Sequence, residues 1–531
     1  DPDPAQFRTL IGDSRNFGLN GAWARGLGKN GMGGSLSLSA GISRADSHSW
    51  QGLDTVRLSY GGDSVLRTLP GPLERVSHVT TLEGGAGYST SLGDWQFSAT
   101  VDATHGETRS LTDRRADTTA LVAAAAAGTL PIRGTLPALA PAGATQASSI
   151  SNRVENLVTL IGRPVRLPAG SVSATVKAGY TWVGYDSSDQ ASLTGPVSLK
   201  RGRVLGGINL GVPLTSRREN FLGGIGDITL NLSADVSQLS DFGTLTGWTT
   251  GLTWGLTSKL GLQASYIVNQ SAPTISDLGS PIATTYNVPV YDFTRGETAL
   301  VTLTSGGNPA LLRETQRDLK LGVNWQLPVL SNSSLVAEYF RNRSSNVTAA
   351  FPLLTPDIEA AFPGRVTRNA SGQLVAIDQR SVTFFRQEAS RLRWGINLSD
   401  GFGKAAPAGG MMGAMFGGRG PGGGPRPAGG PPPGGGAGPR GGGRGGMMGM
   451  MGGGGQPGRW TLGLYHTVQF ESRVLIAPGG PLLDLLNGDT LTTGGTPRHT
   501  LEFNGGVFYK GIGSFFNGTW KAPTTVAASG L

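Results

Sequence analysis

Apolar and polar residues alternate along most of this chain. Between residues 228 and 236 every even-numbered position is apolar and every odd-numbered position is polar. Because neighbouring side chains of a β-strand point to opposite faces, such a segment has one apolar face and one polar face. The same alternation recurs in residues 35–43, 95–104, 172–182, 319–327 and 500–510.

These segments are long for strands of a soluble protein, which average about five or six residues. A strand tilted by about 45° needs about 9–11 residues to cross a bilayer, with apolar side chains toward lipid and polar ones toward the lumen. A soluble β-sandwich or β-helix is the alternative, but it would need shorter strands and polar outer faces. We therefore predict an all-β fold, a transmembrane antiparallel β-barrel that occupies residues 1–531.

The pattern predicts about sixteen strands, near 16–26, 34–46, 75–91, 94–110, 150–163, 170–185, 200–213, 226–240, 246–257, 259–270, 315–328, 333–350, 380–400, 459–476, 498–510 and 513–525. Aromatic residues near strand ends fit the interfacial belts of membrane barrels. They are Trp95, Tyr180, Trp182, Trp325, Trp460 and Tyr509.

The predicted connections between strands alternate in length. Those at 92–94, 257–259 and 511–512 are short, whereas five are long: 47–74, 111–149, 271–314, 351–379 and 477–497. Residues 241–245 are an exception, because they form a short connection where a long one is expected. Outer-membrane barrels have short periplasmic turns and long extracellular loops, so the asymmetry predicts which end of the sheet faces the cell exterior.

Composition argues against several other classes of protein. The chain has no cysteine, which excludes disulfides, thiolate metal sites and cysteine nucleophiles. Its five histidines form no i, i+4 pair, and no nucleophile elbow, P-loop or zinc-protease motif occurs. We predict no enzymatic activity, no catalytic residue, no metal site and no cofactor.

One segment, residues 403–459, departs from the alternation. It holds 27 Gly and 9 Pro in 57 positions, seven of the eight methionines, and six basic residues with no acidic one. Such a composition cannot offset the entropy of ordering, so we predict a disordered insertion within the barrel domain. The alternatives are copper(I) capture by the methionines, contact with the cell wall or a periplasmic partner, and nucleic-acid binding by its Arg-Gly repeats. We do not expect nucleic acid as a partner of an outer-membrane loop.

Three segments resemble TonB-dependent outer-membrane receptors, in order along the chain. Residues 307–315 (GNPALLRET) are similar to the family's G-N-P-x-L-x-P-E-T segment, with Arg313 in place of the usual proline. Upstream, residues 271–278 (SAPTISDL) resemble its R-A-P-x-L-x-D-L loop. Downstream, residues 339–347 (YFRNRSSNV) are similar to its next strand, typically Y-x-x-x-I/V-x-N-V/I.

The resemblance implies a barrel of 22 strands with an N-terminal plug that contacts TonB. Neither the plug nor the TonB-contacting box is recognisable in this chain, so we expect the chain to be an incomplete part of such a barrel. One strand should precede residue 1, and about five should follow residue 531. The expected partners are a small-molecule ligand, the TonB complex through the plug, and outer-membrane lipid with lipopolysaccharide, all at the cell outer membrane.

The resemblance also implies active, TonB-energised uptake of a scarce solute such as a ferric siderophore. A passive porin-like channel or a surface-adhesion barrel is the alternative. Residues 271–314 carry side chains suited to stacking on an aromatic ligand and pairing with an acidic one. The candidate binding residues are Tyr286, Tyr291, Phe293 and Arg295.

Overall fold

The computed structural model describes residues 4–28, 33–140, 142–330, 332–403, 458–492, 494–509 and 512–526. The predicted 403–459 insertion falls almost wholly outside these residues, because 404–457 are not among them. Within the described part of the chain no helix is long and apolar enough to span a membrane.

The described residues fold into 21 strands and three short α-helices. The strands are β1 Asp13–Leu27, β2 Gly34–Tyr60, β3 Asp63–Leu92, β4 Trp95–Asp113, β5 Ala144–Leu167, β6 Gly170–Asp189, β7 Val197–Thr215, β8 Asp227–Leu239, β9 Gly243–Gly255, β10 Leu260–Ser271, β11 Ala283–Asp292, β12 Glu297–Ser305, β13 Glu314–Gln326, β14 Ser334–Ala349, β15 Val366–Arg368, β16 Leu374–Asp378, β17 Val382–Phe402, β18 Gly458–Leu475, β19 Leu482–Asp484, β20 His499–Tyr509 and β21 Ile512–Lys521. The helices are α1 Thr119–Ala126, α2 Ile275–Gly279 and α3 Pro356–Ala361.

Seventeen of these strands form one antiparallel sheet. Sixteen run as a meander in which each strand pairs with the next, in the order β1 to β10, β13, β14, β17, β18, β20 and β21. The short β19 pairs with the end of β18. Among the described residues β1 does not pair with β21, so the sheet is open between them. The predicted all-β fold with about sixteen long strands is confirmed.

The register keeps the apolar positions of neighbouring strands on one face. Leu232 of β8, for example, lies opposite Leu210 of β7 and Thr250 of β9. Leu321 of β13 lies opposite Ala264 of β10 and Tyr339 of β14. We call this side of the sheet the apolar face and the other side the polar face. Because one face is apolar along every strand, a slip by one residue would bring polar side chains onto it.

The connections lie at two ends of the sheet that differ as predicted. At one end most are short turns, such as 93–94 and 168–169, although 216–226 has eleven residues. At the other end, which we call the long-connection end, are 114–143, 272–313, 350–381 and 476–498. Connection 240–242 is the short exception expected from the sequence. Trp95, Trp325, Trp460 and Tyr509 lie at strand ends on the short-turn side, whereas Tyr180 and Trp182 lie inside β6.

The predicted long loop at 47–74 is wrong. β2 and β3 continue through this region and meet at a two-residue turn, Gly61-Gly62, in which both residues have positive φ. Glycine adopts that conformation at no steric cost, and it suits a tight hairpin. Local register shifts between Trp50 and Thr55 interrupt the alternation there, so the pattern alone did not reveal the strands.

We call residues 48–60 of β2 and 63–76 of β3 the tall hairpin, and it has a small core of its own. Val56, Leu58 and Leu69 are buried against Leu121 and Ala125 of α1. The connection 114–143, which the sequence predicts only as a loop, therefore contributes a helix that covers the hairpin. Burial of these side chains gives the tall hairpin a stabilising contact that an isolated two-stranded hairpin lacks.

Two of the long connections together build a second sheet. β11 and β12 from 272–313 pair with β16 and β15 from 350–381 in the order β11-β12-β16-β15. We call these four strands with α3 the cap. Its core includes Val301, Ile358 and Ile377, which pack with Val474 of β18 and with Ile476 directly after that strand. Hydrophobic burial thus ties the cap to the main sheet.

Two of the segments that resemble the receptor family meet at the base of the cap. Thr274 begins α2 by accepting a hydrogen bond from the Asp277 backbone N–H (3.1 Å). The Gly307 N–H donates to the Ser280 carbonyl (2.9 Å), and the Asn308 N–H donates to the Asp277 carbonyl (2.7 Å). A Cβ on Gly307 would lie 2.4 Å from the Gly279 nitrogen, so only glycine permits this close approach.

Candidate functional site

Three of the four predicted binding residues lie in or next to the turn between β11 and β12. Asp292 and Glu297 are the last pair of the hairpin. The Asp292 carboxylate accepts a hydrogen bond from the Thr294 N–H (3.0 Å), and its carbonyl accepts from the Gly296 N–H (2.8 Å). An aspartate that bonds to the backbone two residues on is a common turn former. The turn is therefore closed by its own residues.

An arginine that the sequence analysis missed anchors this turn. Arg368, at the end of β15, donates to both carboxylate oxygens of Asp292 (2.7 and 3.0 Å) and to both of Glu359 in α3 (2.7 Å each). It also donates to the Gly372 carbonyl (3.0 Å). The planar guanidinium matches carboxylates in pairs of parallel bonds. One side chain thus joins β11, β15 and α3.

The charges of this network stabilise one another in a mostly buried place. The Asp292 side chain is 1% exposed and that of Arg368 19% exposed. Hydrogen bonds from Arg368 hold the pKa of Asp292 below its usual range, against the effect of burial. Hydrogen bonds to Glu359 and Asp292 raise the pKa of Arg368. The ion pair therefore stays charged throughout the physiological pH range.

A second ion cluster lies on the other side of the cap. Asp378, the last residue of β16, is within 2.9 Å of Arg365 and 2.7 Å of Arg380. Burial acts to raise the pKa of Asp378, but the hydrogen bonds from Arg380 and the charge of Arg365 lower it overall. Both ends of the β15–β16 hairpin are thus fixed by buried or half-buried arginine–carboxylate contacts.

Tyr291, Phe293 and Arg295 lie together at the exposed tip of the turn. The rings of Tyr291 and Phe293 meet edge to face, with centroids 5.0 Å apart. Tyr291 is 42% exposed. The Nε of Arg295 donates to Glu297 (3.0 Å), and its Nη1 donates to the Ser371 carbonyl (3.2 Å). Its Nη2 makes no hydrogen bond to any of the described residues, so one edge of the guanidinium is accessible.

Tyr286 lies apart from the other three. It is 61% exposed and sits where a bulge shifts the β11 register between Thr285 and Val288. Its neighbour Asn287 has a positive φ of 57°. Five residues along a strand correspond to roughly 15 Å, so Tyr286 and Tyr291 are not adjacent. The structure brings together three of the four predicted residues and leaves the fourth on the same strand.

Glu297 and Arg57 complete the surroundings of the tip. Arg57, from the tall hairpin, lies 3.9 Å from the Glu297 carboxylate and donates to the Thr298 carbonyl. No sequence signal points to this contact, because Arg57 and Thr298 are 241 positions apart in the chain. With Arg295, Arg368, Asp292 and Glu359, the tip holds three cations and three anions. Its recognition chemistry is therefore aromatic stacking with one partly accessible guanidinium, rather than net charge.

The described residues contain no group of three His, Cys, Asp or Glu side chains placed to hold a metal ion. Two histidines, His466 and His499, do meet on the apolar face, with Nε2 and Nδ1 3.2 Å apart. Two histidines are fewer protein ligands than the three or four of typical zinc sites.

No protein-family model matches the sequence, and no curated protein matches it. The fold, however, aligns with two solved transporters. One is a mutant of the ferric enterobactin receptor PfeA from Pseudomonas aeruginosa, with a TM-score of 0.51 and 13% identity over 93% of this chain. The other is the RagAB peptide transporter, with a TM-score of 0.50 and 10% identity over 95% of this chain. The chain has the fold of the TonB-dependent outer-membrane receptors.

The receptor fold extends over more than this chain in both neighbours. The alignments cover 55% of the PfeA chain and 57% of the RagAB chain. At these identities the likeness establishes the fold alone.

Proposed function

We propose that this protein is the barrel portion of an outer-membrane receptor that takes up a scarce solute with energy from the TonB complex. The observation that carries the proposal is the folded cap at the long-connection end of a sheet with the receptor fold. A cap fixed by its own core and by buried ion pairs offers a preorganised binding surface, which reduces the ordering entropy that binding must overcome. Because outer-membrane barrels carry their long connections outside the cell, the cap then faces the cell exterior.

The side chains at the tip of the cap are suited to bind a ligand with aromatic rings and an acidic group, such as a ferric siderophore. Tyr291 and Phe293 offer ring faces and edges, and Arg295 offers the accessible Nη2. Aromatic rings and arginine are the side chains that most often dominate binding energy. The names of the two structural neighbours refer to ferric enterobactin and to peptides, so both classes are suitable probes.

A pair of substitutions tests the binding site. We expect Tyr291→Ala with Arg295→Ala to raise the Kd of the bound probe by about 10–100-fold, because each removes a contact typical of a hot spot. The measurement is binding of ferric enterobactin and of a mixed peptide pool to the purified barrel. The matched control is Tyr60→Ala with Arg133→Ala, which removes an exposed tyrosine of the tall hairpin and an exposed arginine that pairs with Asp63 of the same hairpin.

Equal losses in the two double variants, or no loss in the first, would remove the tip from the site. A third variant sharpens the test. Glu297→Gln removes the carboxylate that holds Arg295, so an acidic probe should bind up to about five-fold more tightly, given the small strength of exposed ion pairs. Weaker binding would mean that Glu297 itself contacts the ligand.

Uptake separates the energised receptor from a passive porin or an adhesion barrel. Cells that carry the complete gene should accumulate the bound probe only when TonB is present. Accumulation that is equal with and without TonB would indicate a passive channel. Binding without accumulation in either strain would indicate an adhesion barrel.

A further inference from the structure

Three arginines stand together on the apolar face near the long-connection end of β13 and β14. Arg317 lies directly opposite Arg343, and Arg341 lies opposite Leu319, two residues nearer the middle of the sheet. All three side chains are exposed. Asp318 and Asn342, which alternate with them, are on the polar face and hydrogen-bond each other (2.6 Å). The strand period therefore places the arginines on the same side as the apolar residues.

Two of these arginines have no acidic partner. Arg343 is held by Glu388 of β17 (2.6 Å), which also lies 3.6 Å from Arg386. Arg317 and Arg341 make no hydrogen bond or ion pair through their side chains within the described part of the chain. Like charges opposite one another across a strand pair are destabilising. The cluster therefore lacks about two negative charges that would balance it.

Some other arginines on this edge of the apolar face do have an acidic partner. Arg44 of β2 pairs with Asp46 (3.0 Å), and Arg109 of β4 pairs with Glu107 (2.6 Å). In each case the acid is two residues away on the same strand, and hence on the same face. Arg317 and Arg341 of β13 and β14 thus lack the neighbouring acid that accompanies these arginines of β2 and β4.

An apolar groove begins directly beside the arginine cluster. It has a volume of about 370 Å³ and is lined by Leu252, Ala264, Leu321, Ala337, Tyr339 and Leu392. Tyr339 is two residues from Arg341 on β14, a distance of about 7 Å along the strand. Ala264 and Ala337 have short side chains between larger neighbours, which accounts for a groove at this place.

We propose that this surface binds a phosphate-bearing membrane lipid, with phosphate on Arg317, Arg341 and Arg343 and one acyl chain in the groove. The guanidinium fork suits phosphate oxygens, and two bound negative charges would offset the unpaired arginines. A free anion would use the cluster but not the groove. The proposal rests on the membrane placement in the proposed function, because only there do cluster and groove face lipid.

The test uses the purified protein in nanodiscs, with lipid binding followed by native mass spectrometry. The probe is diphosphoryl lipid A, compared with its dephosphorylated form and with inorganic phosphate. We expect Arg317→Gln with Arg341→Gln to reduce binding of the diphosphoryl lipid at least ten-fold. Arg44→Gln with Arg109→Gln, the matched control in the balanced part of the rim, should change it by less than two-fold.

A second variant tests the groove. Ala264→Phe with Ala337→Phe fills the groove and should weaken lipid binding. Inorganic phosphate should compete only weakly with the lipid, and this competition should be the same in the variant. Equal losses in the cluster and control variants, equal binding of the two lipid forms, or phosphate competing as strongly as the lipid would each overturn the proposal. A dimer in place of a lipid adduct would instead assign the surface to a second copy. Failure of the wild-type protein to enter nanodiscs would refute the membrane placement itself, whereas an inserted protein that binds no lipid would refute only this site.

Discussion

Arg368 is the side chain on which the cap depends most. Its guanidinium makes five hydrogen bonds that connect the β11–β12 turn, α3 and the loop at Gly372. Replacing it with alanine leaves the Asp292 carboxylate, 1% exposed, without its cation. Removing one partner of a buried pair typically costs about 3–5 kcal/mol, because the remaining charge is neither solvated nor compensated.

This cost should appear in the cap and not in the main sheet. The cap strands are β11, β12, β15 and β16, and their amides should exchange with solvent through local opening of this unit. A loss of about 3–5 kcal/mol corresponds to exchange that is roughly 150–5000-fold faster, up to the limit set by the stability of the cap itself. Amides in β5 to β9 should keep their protection, because Arg368 contacts none of these strands.

The assay is hydrogen exchange followed by mass spectrometry on the folded protein. Arg109→Ala is the control, because its ion pair with Glu107 involves a side chain that is 63% exposed and should contribute less than about 1 kcal/mol. Arg368→Met with Asp292→Leu should recover part of the protection, since it removes the buried Asp292 charge together with its partner and leaves only the more exposed Glu359 carboxylate unpaired. Exchange in the cap that rises less than about five-fold in Arg368→Ala would refute the assignment of Arg368 as its anchor.

The sheet and its connections lead to three further predictions. Val176→Arg should destabilise the folded barrel by about 2–4 kcal/mol, because it faces lipid, while Thr175→Arg should be tolerated in the lumen; equal loss of heat-resistant folded barrel on gels would contradict the assignment of faces. The exchange protection of the cap should be constant from about pH 8 to pH 5 and fall below about pH 4. The pKa of Asp292 is lowered in the folded cap, so its stabilising contribution is present above the unfolded pKa and is lost as the pH falls through the folded pKa. A decline that begins near pH 6 would point to other groups. Phe402 and Gly458 are paired across β17 and β18, so replacing 403–457 with Asn-Gly should give a tight hairpin and leave assembly and surface binding intact. Loss of uptake or of copper tolerance alone would assign the segment a role, and labelling of a cysteine at position 430 by an impermeant reagent in whole cells would invert the orientation of the sheet in the membrane.

The strands and their two faces could be predicted because alternation is a local property. In β8 the apolar residues from Ile228 to Val236 lie on one face as the period of two requires, and the register of β7 and β9 preserves this. The short turns and long connections follow from the spacing between such segments. The sequence also predicts the short connection at 240–242, where the pattern of alternating lengths would require a long one.

The tall hairpin shows where local alternation is insufficient. Bulges near Gly52 and Pro70 shift the phase of the pattern, and only packing against α1 fixes the strands beyond them. Of the candidate residues, Tyr291, Phe293 and Arg295 come together because the β11–β12 turn brings neighbours in sequence close in space. Tyr286 lies at a bulge farther along β11, and the residue types there do not predict the bulge.

Tertiary structure alone decided which distant residues stabilise the site. Arg368 meets Asp292 across 76 positions, and Arg57 reaches Thr298 across 241. Pairs of this kind carry no periodic signal, because each depends on the path of two separate connections and on the core beneath them. The sequence determined a two-faced sheet with unequal ends, since side-chain direction is set residue by residue. The cap, its ion network and the unbalanced arginines of β13 and β14 required the fold, since charges are paired by distance in space and not by order along the chain.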